Sequence, residues 1–108
     1  MKNKITKIAN HYQFSNQSRQ LAEECAELVQ AVSKYYRFRN TKNSRDEILA
    51  STEDSNMLIQ NIVEEIADVE IMLEQMKILL NISNEAVEGV KEKKVNRQLA
   101  RIEKEGSK

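Results

Sequence analysis

Leu21-Ala22-Glu23-Glu24-Cys25-Ala26-Glu27-Leu28 and Ile62-Val63-Glu64-Glu65-Ile66-Ala67-Asp68-Val69 are the two stretches that decide the fold of this chain. In the first helix they predict, apolar residues recur as Leu21, Cys25, Leu28, Val32 and Tyr35, alternately four and three apart. The second repeats that spacing in Ile62, Ile66, Val69, Leu73, Met76 and Leu80. Such a period is that of an amphipathic α-helix. With each stripe taken as the core-facing direction, Glu24 and Glu27 fall roughly 60° and 120° to one side, and Glu65 and Asp68 fall at roughly the same two angles. Two helices therefore carry the same pair of carboxylates on the same flank, and two such pairs facing each other form a cage for a divalent metal. Glu23 and Glu64 point away from the stripes and read as solvated.

Composition agrees with an all-α chain. Among 108 residues there are two Gly, no Pro and no Trp, and 31% are charged, which leaves few tight turns. A chain of this length is expected to form one domain, residues 1–108, with a modest core that oligomerisation would enlarge. Lys plus Arg and Asp plus Glu number 17 each, so no basic field is available to hold duplex nucleic acid by counterion release. The single cysteine, Cys25, sits in the apolar stripe, as a small buried thiol in a reducing compartment would. No apolar run reaches the length of a membrane span and the N-terminus lacks a secretory signal, so the expected location is the cytoplasm, away from membranes.

Along the chain, Ile5 and Ile8 mark a short amphipathic helix over residues 3–11 that ends near His11-Tyr12. Ser15 and Asn16 are cap candidates for a long helix running to about Phe38. Residues 40–56 turn polar around the pair Ile48-Leu49 and read as a long loop. Beyond the cap candidates Ser51-Thr52, the second carboxylate helix runs to about Leu80. Asn81, Ser83 and Asn84 then break the chain before a closing helix with Val87, Val90, Val95, Leu99 and Ile102, which runs toward the Gly106-Ser107-Lys108 tail. The expected fold is a small helical bundle: two long carboxylate-bearing helices, a short N-terminal helix and a C-terminal one. Ile71 and Ile78, opposite the second stripe, suggest a subunit contact.

Carboxylates that border a core are partly desolvated, and four of them converging would repel strongly without a cation. Oxygen-only ligands suit Mg²⁺, which keeps positions for water and for substrate phosphates; Mn²⁺ is a natural substitute. A nucleoside triphosphate is the guest such a site would take, with metal-assisted hydrolysis as the chemistry. Nothing in the chain resembles a nucleophilic triad, and His11 is the lone histidine. E-x-x-E spacing is also common on any solvated helix, so the weight lies on the matched pair of motifs.

In the order Glu23-Glu24-Cys25-Ala26-Glu27 then Glu65-Ile66-Ala67-Asp68, the chain resembles the MazG-like all-α nucleoside triphosphate pyrophosphohydrolases, whose pattern is E-E-x-x-E on one helix and E-x-x-D on a later one. The resemblance extends from about His11, through Gln17, to the closing stretch from Lys94 to Ile102. It implies cleavage between the α- and β-phosphates, giving a nucleoside monophosphate and pyrophosphate, in nucleotide-pool housekeeping. It also implies Mg²⁺ held by Glu24, Glu27, Glu65 and Asp68, and a homodimer or homotetramer with sites between helices. The stretch 40–56 matches no family feature.

Further side chains fall on the flank of the carboxylates. Gln17, Gln20 and Lys34 do so on the first helix and Asn61 on the second, where amides suit a base or sugar and an ammonium suits a phosphate. Arg97 and Arg101, four apart on the closing helix, could clamp a triphosphate tail. Surface solubility and ion pairing are the competing roles for all of these. Lys42 and Arg45 read as solvated loop cations, and Tyr35, Tyr36 and Phe38 as core packing rather than base stacking. Three rival functions are open. A di-iron bundle needs E-x-x-H on two helices, a motif the chain lacks. A non-catalytic nucleotide-binding or protein-interaction module would use the acids only for solubility. A degenerate relative would bind nucleotide without hydrolysing it, although all four motif carboxylates are intact.

Overall fold

A computed structural model describes residues 1–40 and 52–106. Three helices account for nearly all of them: α1 (Lys2–Asn40), α2 (Thr52–Leu79) and α3 (Asn84–Gly106), with no strand among the described residues. The all-α expectation holds. None of these helices is long and apolar enough to cross a membrane.

The expected short N-terminal helix is the first third of α1, bent away from the rest at Gln13, whose backbone (φ 65°, ψ 173°) is not helical. A non-glycine residue in that region is strained. The break lies two residues ahead of the Ser15-Asn16 caps expected from sequence, and both residues instead sit inside the helix. Asn16 Nδ2 donates to the Tyr12 carbonyl at 3.0 Å, and Ser15 offers its own carbonyl to Ser18 Oγ at 3.0 Å. At the bend His11 meets Tyr12 edge-on, with ring centroids 4.7 Å apart.

Helix α2 begins at Thr52, where the Ser51-Thr52 cap candidates put its start, so residues 52–56 belong to it and not to the loop read over 40–56; Glu53 and Asp54 in the first turn favour that start through the helix dipole. Ile48, Leu49, Lys42, Arg45, Ser51 and the Ser107-Lys108 end lie outside the described residues. The break near 81–84 is as anticipated, and its chemistry is visible. Ile82 N–H donates to the Lys77 carbonyl at 2.8 Å and Asn81 N–H to that of Ile78 at 3.3 Å, while Asn81 takes φ 55°. This is a Schellman C-cap with asparagine in the left-handed position. Ser83 then caps α3, accepting from Ala86 N–H at 3.1 Å.

Helices α1 and α2 pack against each other along their lengths, while α3 leaves the pair and packs extensively on neither. The Cα radius of gyration is 18.8 Å, against about 13 Å for a compact chain of this size. The α1·α2 contact face shares Leu21, Leu28, Tyr35, Ile62, Val69 and Met76 with the stripes expected from sequence but is rotated from them. It runs through Gln17, Leu21, Glu24, Leu28, Ala31 and Tyr35 on α1, and Leu58, Ile62, Glu65, Val69, Met72 and Met76 on α2, all buried or half-buried. Cys25, expected as a buried thiol, is exposed, and so are Val32, Ile66, Leu73 and Leu80. Each helix is turned by roughly 40° from the apolar average, at about 100° per residue, toward its acids. Of the second apolar face, Ile78 is half-buried while Ile71 is exposed.

Candidate metal centre

The rotation of α1 and α2 carries one acid of each motif into the contact face. Glu24 and Glu65 are half-buried between the helices, whereas Glu27 and Asp68 lie at the rim. Glu24, Glu27 and Glu65 each present a carboxylate oxygen within 4.8 Å of the others. Asp68 is outside that cluster, but its charge reaches both Glu24 and Glu65.

Electrostatics at the cluster are unfavourable for charged carboxylates. At Glu24, the Gln20 amide donates at 2.8 Å and favours the charged form. Burial, the charges of Asp68 and Glu27, and a hydrogen bond with Glu27 outweigh it and hold the carboxyl above its ordinary range. For Glu65 the upward push comes first from burial, then from the charges of Glu27, Asp68 and Glu24 and a hydrogen bond with Glu27. One oxygen of each, Glu24 Oε2 and Glu65 Oε2, is buried without a hydrogen-bond partner. Orphaned oxygens on two of three clustered carboxylates fit a divalent cation: it would take up their lone pairs and offset the mutual repulsion.

Beside the cluster runs a polar cleft of about 420 Å³, lined by Glu27, Gln30, Ala31, Lys34, Leu58, Asn61 and Glu65. Lys34 and Asn61, singled out from sequence, therefore share a wall with two of the acids. Lys34 sits seven residues beyond Glu27, about 10 Å along the helix at 1.5 Å per residue. Gln30 was not anticipated, although its position three residues after Glu27 and four before Lys34 is the signal that would have found it.

Gln17 is oriented differently from the expected substrate contact. It is buried in the α1·α2 face, where its Nε2 donates to Gln75 Oε1 at 2.7 Å. Gln20 contacts Glu24 rather than the cleft. Arg97 and Arg101 are exposed on α3, with Arg101 donating to Gln98 at 3.0 Å, and within a single chain they do not line the cleft. No family model matches the chain, and neither the curated proteins nor the solved structures contain a match to it.

Proposed function

We propose that this protein hydrolyses a nucleoside triphosphate, NTP or dNTP, between its α- and β-phosphates, releasing a nucleoside monophosphate and pyrophosphate, with Mg²⁺ as the metal and nucleotide-pool housekeeping as the role. The observation that carries the reading is the convergence of Glu24, Glu27 and Glu65, two of which each carry a buried, unpartnered carboxylate oxygen. The MazG-like resemblance of the two motifs supports it. Glu24, Glu27, Glu65 and Asp68 are the residues that would hold the cation. When bound, such an ion supplies screening of phosphate charge, polarisation of phosphorus and a more acidic water.

The chain's own groups would do the rest. Lys34, the cation of the cleft wall, suits a phosphate oxygen, and the Asn61 and Gln30 amides offer donors and acceptors to a base or sugar. Half-burial of Glu24 and Glu65 limits water around the acids and strengthens every interaction made there. Arg97 and Arg101 would serve as a phosphate clamp only where another copy of the chain presents them.

That condition favours the homodimer or homotetramer. Val90, Val95, Leu99 and Ile102 on α3 are each more than half exposed, an apolar stripe that a single chain leaves in water. The same exposed surface favours one alternative, a non-catalytic helical interaction module. Release of pyrophosphate, against orthophosphate, from a panel of canonical and modified NTPs and dNTPs separates the two. Metal-dependent pyrophosphate release that EDTA abolishes is the expected result; folded protein that releases none across the panel would leave the interaction module.

A further inference from the structure

The apolar side chains that α1 and α2 leave in water are not scattered. About the axis of α1, Cys25, Val29, Val32 and Tyr36 lie roughly 60–120° to one side of the α1·α2 seam, and Gln20, Glu27 and Lys34 lie roughly as far to the other. On α2, Ile59, Ile66 and Leu73 lie roughly 60–100° to the first side, with Asn61 and Asp68 on the second. The helices run antiparallel, Gln17 meeting Gln75 and Glu24 meeting Glu65, so equal turns from the seam come to the same side of the pair. The pair therefore has two unlike faces. Acids occupy one; the back carries no charged side chain from Ala22 to Tyr36 or from Ser55 to Ile66. Cys25 is exposed there, and the other six back-face residues are between 42% and 68% exposed. This face also accounts for the rotation of both helices: their apolar residues divide between the seam and the back, so the apolar average points between the two.

We infer that the back face of the α1·α2 pair is the seat of a second copy of this chain, docked through the same face of its own pair, with the acids of both copies turned outward. The surface area calls for a partner of that size. The chain exposes 8943 Å², against about 6,200 Å² for a folded monomer of 12.5 kDa. Crediting the thirteen residues at 41–51 and 107–108 with the surface of a fully extended chain, about 170 Å² each, still leaves an excess of roughly 1,100 Å². One side of a standard interface takes about 800 Å², and one side of an obligate dimer about 1,000–2,500 Å². Helix α3 does not supply the cover, because it packs extensively on neither helix and leaves its own stripe in water. It does extend the face. A groove of about 500 Å³ between α2 and α3 is lined by Leu73, Met76, Ile82 and Val87, so the back face continues through Leu73 into an elbow. A concave apolar surface without charge matches a convex apolar one, and the chain carries both arms of the elbow; an isologous pair covers each with the other. Seated this way, the copies leave the acid cluster and its cleft open on the outer sides. The inference deepens the homo-oligomer of the proposed function and rests on packing and area, not on the hydrolytic reading.

The single cysteine of the chain is a native reporter of this face. Cys25 is exposed in one copy and covered in the proposed pair. The test measures the mass of the full chain by sedimentation equilibrium and, on the same samples, the rate at which a maleimide modifies Cys25, with the urea-unfolded chain as the unprotected reference. Wild type should show a multiple of the 12.5 kDa chain. Its Cys25 should react about tenfold or more slowly than the reference and speed up on dilution, because only dissociated chains present the thiol. Val29→Glu and Ile59→Glu replace side chains that a single copy already leaves in water, so each should keep its helical signal, run as one chain and, in Ile59→Glu, react at the unprotected rate. Three results would overturn the inference. Helical wild type at the mass of one chain with a reactive Cys25 leaves the face open; the same mass with a protected Cys25 assigns the face to α3 of its own chain; a multiple of the chain mass with Cys25 reacting at the reference rate puts the contact on another face. Should either variant lose its helical signal, the mass and thiol rate of wild type decide alone. Pyrophosphate release with an unprotected Cys25, or protection without release, would defeat one of the two readings and leave the other standing.

Discussion

Glu24→Gln separates the two loads that the acid cluster carries. The substitution keeps the shape of the side chain and its ability to meet the Gln20 amide, and it removes one of the charges clustered within 4.8 Å. Two unit charges at that spacing repel by about 1 kcal/mol in water-like surroundings, and Glu24 is only half-buried, so solvent screening keeps the gain from removing it to about that amount. For a domain of this size about 1 kcal/mol moves the melting temperature by roughly 4–8 °C. The metal-free variant should therefore melt several degrees above the metal-free wild type. Cation binding reverses the order: ligand at about 100 times its Kd stabilises by about 2.7 kcal/mol, roughly 10–20 °C on the same scale. Wild type should gain that much on titration with Mg²⁺ or Mn²⁺, and Glu24→Gln most of it should fail to gain. The assay is a thermal melt followed by circular dichroism, with EDTA and along a metal titration. The reasoning is refuted if the EDTA-treated variant melts below wild type and both proteins respond equally to metal.

Other outcomes follow from the same geometry. Glu65→Gln or Asp68→Asn should reduce pyrophosphate release at least a hundredfold with helical content intact, and full turnover in either would remove that residue from the ligand set. In metal-free protein, Glu24 and Glu65 are raised above the ordinary carboxylate value, so the stability they contribute is fully present below that value and is lost as pH rises through the raised ones. The melting temperature of wild type minus that of Glu65→Gln should accordingly fall as pH rises from the ordinary carboxylate range toward neutrality, and rise instead when saturating Mg²⁺ is present, because the cation needs charged ligands. A pH-independent difference would show that the clustered carboxyls do not interact. Leu99→Glu, placed on the exposed stripe of α3, should lower the mass measured by light scattering from a multiple of the 12.5 kDa chain toward the chain itself. Wild type that already runs as a monomer would count against the oligomer.

Much of this architecture is legible in the residues. The Asn81-to-Asn84 break, the start of α3 behind Ser83 and the long helical course of both acid motifs all follow from local chemistry that tertiary contacts do not override. Three of the four acids expected to converge, Glu24, Glu27 and Glu65, do so while Asp68 stays outside the cluster; that much is legible because equal offsets on two helices survive a common rotation of both. What the apolar pattern misses is that rotation. Periodicity averages over every apolar residue on a helix, but Cys25, Val32, Ile66 and Leu73 are apolar and lie outside the α1·α2 seam, while Gln17, Glu24, Glu65 and Gln75 are polar and lie within it. A polar residue in a seam has no signature in a hydrophobic pattern until its partner is known, and Gln17 and Gln75 are 58 residues apart. Before α2, the cap candidates mark the start that composition obscures: polar residues 52–56 look like a connection, yet the first turn of a solvated helix has the same composition.

The turn between α2 and α3 has a mechanical consequence. A Schellman cap followed at once by a serine cap leaves almost no slack between the two helices, so the direction in which α3 departs is set by a handful of backbone angles rather than by packing along its length. Asn81 is the pivot, because its left-handed backbone is tolerated by asparagine and poorly by a β-branched side chain. A lever 23 residues long amplifies any change there: tilting it by about 20° would move its far end by roughly 12 Å, given a rise of about 1.5 Å per residue. Changes at one asparagine could thus redirect the whole apolar stripe of α3 without altering a single residue on it, so what that stripe can meet is decided at a position that is not part of it.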